Sequence, residues 1–84
     1  MTRGEIEQQV RTALLGVAPE LESTRIEPEV PLRDQIDIDS MDFLRFVMAL
    51  HAQLGVDVPE ADYEKLTSLT RTVDYLAAKI GDQS

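Results

Sequence analysis

No cysteine occurs among the 84 residues. That absence removes disulfides, thiolate zinc sites and any thiol nucleophile of the chain's own, so thiol chemistry would have to be brought in from outside. Basic side chains are scarce as well: eight Lys and Arg stand against sixteen Asp and Glu, a formal charge of −8. Such a balance repels nucleic acid and anionic lipid and favours partners that carry Lys or Arg patches. Long apolar runs are missing, the longest being FVMAL from Phe46 to Leu50, far below the roughly 20 residues that cross a bilayer. The opening MTRGEIEQQ holds no signal-peptide apolar region, so a soluble, cytoplasmic chain without membrane insertion is expected. Internal repeats, low-complexity tracts and alternating runs that would read as strands are absent. A chain this short builds one small core, so residues 1–84 are expected to form a single domain, as a monomer and without a deep enzyme cleft.

What is present has helical spacing. Thr2 and Glu5 stand at capping-box distance, and Ile6, Val10, Ala13, Leu14 and Val17 recur along one face behind them, which predicts a helix over about 3–17. From Ala18 to Asp39 the pattern breaks at Pro19, Pro28 and Pro31, while Ile26, Val30, Leu32, Ile36 and Ile38 offer apolar anchors. This is a long loop pinned to a core, and connections of that length are often functional. A second helix is expected from about Ser40 to Leu54 with Gly55 as its stop, then a short helical turn around Glu60 to Lys65. Ser68 can cap a last helix in which Leu69, Val73, Leu76, Ala77 and Ile80 share a face, Lys79 suits the negative end of the dipole and Gly81 follows. The expected class is all-α: a small four-helix bundle of three main helices and one short one, with the long loop between the first two.

The second helix has two apolar faces. Stepping 100° per residue, Phe43, Phe46, Val47, Leu50 and Leu54 cluster on one side as the core face. Met41, Leu44, Met48 and Ala52 fall on the other side together with Arg45. Scattered exposed apolar residues are ordinary. A methionine-rich stripe, however, suits repeated transient docking because the side chain adapts to several partners.

At the head of that helix DIDSMD raises a question of capping. Asp39 is a good N-cap and Asp42 stands three residues on, which would release Ser40 into the first turn with its hydroxyl in solvent. There, free N–H groups and the helix dipole favour a phosphate. The plainer alternative is that Ser40 is itself the cap. A calcium loop fits poorly, since Asp42 occupies the position that needs glycine and Met48 the position of the bidentate glutamate, so no metal site is assigned. His51 is the sole histidine and lacks a second ligand, and Tyr63 and Tyr75 read as packing residues with a polar tip. No residue is assigned a catalytic role.

Asp39-Ser40-Met41 at a helix start, the Met48-Ala49-Leu50 that follows, VPEADYEKLTSL from Val58 and TVDYLAAKI from Thr72 together resemble an acyl carrier protein over nearly the whole chain. The spacing from Ser40 to Pro59, Leu66 and Tyr75 makes the resemblance more specific than the three-residue motif. It implies a small acidic bundle that is not an enzyme. A phosphopantetheinyl transferase would join a phosphopantetheine arm from coenzyme A to Ser40, beside Asp39, and the arm's thiol would hold acyl groups as thioesters. Acyl-transferring and condensing enzymes with basic docking patches would meet it through Met41, Asp42, Leu44, Arg45 and Met48, in fatty-acid or polyketide-like biosynthesis. The chain departs from fatty-acid carriers at Asp37, where glycine is usual, at Met41, where leucine is usual, and at Arg45 and His51, where glutamates are common. Two other readings remain: a peptidyl or aminoacyl carrier of nonribosomal synthesis, and an unmodified helical module that binds another helix.

Overall fold

The capping box foreseen at Thr2 opens the first helix of the computed structural model, which describes residues 1–23 and 25–81. Thr24 and residues 82–84, which the expected domain includes, lie outside the described residues. The Glu5 N–H donates to Thr2 Oγ1 at 3.1 Å and the Thr2 N–H to Glu5 Oε1 at 2.9 Å, so two donors at the helix start are satisfied reciprocally. Those bonds hold the Glu5 carboxyl below its usual range. Helix α1 (Arg3–Val17) then buries Ile6, Val10, Ala13 and Leu14 on one face, with Val17 half-buried. Three further helices follow: α2 (Leu32–Gln35), α3 (Ser40–Leu54) and α4 (Leu69–Gly81). Two 3-10 segments, Pro19–Ser23 and Glu60–Leu66, complete an all-helical bundle with no strand among the described residues.

Helix α1 packs against both α3 and α4. Phe46 and Leu50 of α3 and Leu69, Val73 and Leu76 of α4 meet its apolar face in the core, while Phe43 and Leu54 sit at the edge of that core, half-buried. Helix α3 ends as expected at Gly55, whose φ of 68° is the left-handed conformation that residues with a Cβ adopt only with strain; its N–H bonds the His51 carbonyl at 2.8 Å. Ser68 caps α4, its Oγ accepting the Arg71 N–H at 3.1 Å.

The connection between α1 and α3 differs from a plain loop. Its first stretch winds into the 3-10 segment at Pro19–Ser23, and Pro31, with φ −53°, leads into the single turn of α2. Proline at the entry to a helix has no N–H to lose and a φ already set, so Pro31 starts a helix here instead of excluding one. Ile26, Leu32, Ile36 and Ile38 are buried as anchors. Val30 is not: it is 37% exposed, because the turn that begins at Pro28 carries it outward. Polar bonds do the rest of the pinning. The Gln35 amide donates to the carbonyls of Glu27 (2.8 Å) and Val30 (2.9 Å) and accepts the Glu27 N–H at 2.8 Å. The Leu32 N–H reaches the Thr67 carbonyl at 2.7 Å, and Thr70 donates its N–H to the Pro28 carbonyl at 3.1 Å and its hydroxyl to Glu29 at 2.7 Å. The loop is thereby fastened to the start of α4, and its exit at Ile38 is fixed where α3 begins.

Candidate functional site

Asp39 leaves the loop with φ −99° and ψ −174°, extended backbone that turns into α3 at the next residue. Its carboxylate accepts the Asp42 N–H at 2.8 Å, and the Asp42 carboxylate returns to the Asp39 N–H at 3.3 Å. The cap is therefore Asp39, with Asp42 as the reciprocal member of a capping box. Ser40 is left over. It is exposed, and its hydroxyl makes no hydrogen bond among the described residues. The N–H groups of Ser40 and Met41 likewise have no acceptor there, so two backbone donors and the positive end of the helix dipole surround a free alcohol. Asp37 and Asp39 are exposed beside it, which gives the tip an acidic rim around an electropositive centre.

The outward face of α3 continues from Ser40. Met41 is 62% exposed, Leu44 42% and Met48 62%, with Arg45 and Ala52 exposed among them. Arg45 approaches Asp42 only to 3.9 Å. His51, at the far end, faces solvent as expected but has a partner the sequence did not point to: its Nδ1 lies 3.0 Å from Asp57 in the segment after Gly55.

On the inner side of the same helix start lies a cavity of about 350 Å³, walled by Leu32, Ile38, Phe43, Tyr63 and Leu66, with Arg33 and Glu64 also on its lining. Ile38 and Phe43 stand two residues before and three after Ser40, so the cavity and the free hydroxyl share one corner of the bundle. Tyr63 meets Phe43 edge-on with ring centroids 5.4 Å apart. Its segment, Glu60–Leu66, is held to α4 by Tyr75, whose hydroxyl donates to Asp62 Oδ2 at 2.7 Å. Burial, reinforced by the neighbouring carboxylate, pushes the Tyr75 phenol up to about 12, and the bond from Tyr75 holds the Asp62 carboxyl below its usual range. The tyrosines are thus packing residues with a polar tip, as their sequence context suggested, and Tyr63 is also a cavity wall.

The structure brings Asp39, Ser40, Met41 and Asp42 together at one helix tip and strings Leu44, Arg45 and Met48 along the exposed face below it. Sequence reasoning missed the cavity and the Gln35 clamp that positions its loop wall. Gln35 carries no local signal, since a side-chain amide that serves carbonyls five and eight residues away leaves no periodic trace. No group of three or more metal-ligating side chains is gathered among the described residues, and no helix there is long and apolar enough to cross a membrane.

A family model described as "Phosphopantetheine attachment site" matches residues 8–76. The chain is 30% identical over 79 residues to an acyl carrier protein of Rubrobacter xylanophilus, the match covering 90% of this chain and 93% of that one. It is 29% identical over 83 residues to an acyl carrier protein of Thermosynechococcus vestitus, covering 95% and 98%.

Proposed function

The chain belongs to the phosphopantetheine attachment-site family, that of the acyl carrier proteins, and from this premise we propose that Ser40 is the residue to which the arm is joined. Members of that family carry and do not catalyse, and phosphopantetheine is their cofactor. One observation supports the choice of Ser40 above the others: Asp39 performs the capping, so the Ser40 hydroxyl is exposed and unbonded at a helix start.

The residues at that tip fit the group. A phosphodiester carries a single negative charge, and the free N–H groups of Ser40 and Met41 together with the dipole of α3 favour an anion at that oxygen. Asp39 and Asp42 are engaged with each other's N–H groups, which offsets part of their repulsion toward it. The arm supplies the thiol that the sequence lacks, on which acyl groups are held as thioesters. The protein's own part is to keep the attachment oxygen outward, to offer an address, and to let go.

In this reading the chain meets a phosphopantetheinyl transferase and then the acyl-transferring and condensing enzymes of fatty-acid or polyketide-like biosynthesis, one after another. Met41, Asp42, Leu44, Arg45 and Met48 form the face they touch. A few exposed apolar side chains rimmed by charge suit a contact that must form and dissolve quickly.

The purified chain is incubated with coenzyme A and a promiscuous phosphopantetheinyl transferase and weighed beside Ser40→Ala. Wild type gains the mass of one phosphopantetheine group and Ser40→Ala gains nothing. Unchanged mass in both would leave an unmodified helical module, and a gain in both would move the arm to another residue.

A further inference from the structure

Of the six large hydrophobic residues exposed among those described, three (Met41, Leu44 and Met48) lie on the single outward face of α3. A cation stands on the flank of that face, halfway along it: at 100° per residue Arg45 falls within about 60° of Met41, Met48 and Ala52 and about 100° from Leu44, which borders the opposite flank. Its side chain is 67% exposed. The contact with Asp42 at 3.9 Å is longer than those that Arg3, Arg11 and Lys65 make with their carboxylates, which run from 2.8 to 3.6 Å. Asp42 cannot follow Arg45 outward, because its carboxylate is tied back to the Asp39 N–H. The guanidinium therefore presents its planar fork to whatever covers the stripe, and that fork matches a carboxylate.

We propose, resting on the carrier reading above, that this face docks an enzyme surface of mixed charge. The partner's surface has an apolar groove for Met41, Leu44 and Met48, basic side chains toward Asp37, Asp39 and Asp42, and a carboxylate opposite Arg45. Arg45 stands six positions after Asp39 and three after Asp42, so the sign of the partner's charge changes within about 9 Å along the helix. On a chain of net charge −8 every basic patch attracts. A cation on the flank of the contact sets a second condition, since a patch that is basic throughout places like charges together and is rejected. Arg45 is thus a specificity-determining residue that acts by repulsion as much as by attraction.

The probe is a malonyl transacylase whose docking patch is basic throughout, with the transfer from malonyl-coenzyme A to the loaded chain followed by mass at low salt. Loading of Ser40 is confirmed first, so that a chain which takes no arm counts against the carrier reading and not against this one. Arg45→Glu raises kcat/KM at least about fivefold, the scale expected for reversing a partly exposed charge pair. Changing the transacylase residue that faces the middle of the helix from Arg or Lys to Glu raises the rate with wild type and lowers it with Arg45→Glu. The differences shrink in 0.5 M NaCl. Because Arg45 is exposed, its variants keep the helical circular dichroism of wild type. An unchanged or slower rate for Arg45→Glu with the basic enzyme overturns the proposal, as do two substitutions whose effects simply multiply. A wild-type dimer in sedimentation that Met48→Glu converts to monomer also overturns it, by showing a second copy on the stripe.

Discussion

Two neighbouring residues, Asp39 and Ser40, are each able to cap a helix, and the division of labour between them decides what the tip of α3 can do. Only Asp39 has an acid three residues on, at Asp42, whereas the third residue after Ser40 is Phe43. That difference is visible in the sequence, and the bonds of 2.8 and 3.3 Å follow it. It also separates stability from function. Asp39→Ala should lose about 1 kcal/mol of unfolding free energy in urea, the usual loss for an N-cap acid, because the Asp42 N–H then has no partner. Ser40→Ala should stay within about 0.5 kcal/mol of wild type, since its hydroxyl bonds nothing and alanine suits a first helical turn. A large loss in Ser40→Ala with little in Asp39→Ala would show that the serine is the cap and its oxygen is occupied.

Among the elements, helices α1, α3 and α4 were legible because each spends thirteen to fifteen residues burying one stripe, and a stripe of that length leaves a period of 3.6 in the sequence. The loop was legible only as a loop. Its shape is set by Gln35 and Thr70 donating to carbonyls and a carboxylate distant along the chain and by the Thr67 carbonyl accepting the Leu32 N–H, bonds that follow from the folded geometry and have no local pattern. Val30 shows the limit of reading apolar residues as anchors: the turn after Pro28 decides which way it points. The same holds for the wall formed by Glu60–Leu66, whose tie to α4 is the bond from Tyr75 to Asp62. That tie responds to pH at both ends. The Tyr75 phenol is raised from its ordinary 10 to about 12 in the folded protein. The unfolded chain therefore gives up that proton first, and the stabilisation, complete below about pH 10, is lost as pH climbs to about 12. Asp62 is lowered, so its share is present above the ordinary carboxylate range and is lost as pH falls below it. Urea midpoints measured at pH 9 and 11 should drop more for wild type than for Tyr75→Phe, and equal drops would remove Tyr75 from this role.

At the scale of the whole molecule the governing quantity is charge, sixteen acids and eight bases on a body 34 by 25 by 21 Å. At 10 mM salt the screening length, roughly 30 Å, is comparable with the molecule, so nearly every acid repels nearly every other. At 0.5 M it falls below about 5 Å, and only pairs in contact still interact. Unfolding lets like charges move apart, so the folded state gains more from screening than the unfolded one. The ion pairs that Arg3, Arg11, Arg45 and Lys65 make among the described residues, which screening weakens, are mostly exposed, and each is worth about 1 kcal/mol or less. Repulsion therefore outweighs attraction, and the urea midpoint should rise as NaCl is taken from 10 mM to 0.5 M. Magnesium tests whether the acids at the head of α3 do more than repel. With no cluster of three ligating side chains among the described residues, MgCl2 at matched ionic strength should raise the midpoint about as much as NaCl does. A rise that saturates at low millimolar MgCl2, and that Asp37→Asn abolishes, would mean that the tip of α3 binds the ion specifically, and the carboxylates around Ser40 would then have a role beyond setting the charge of the docking face.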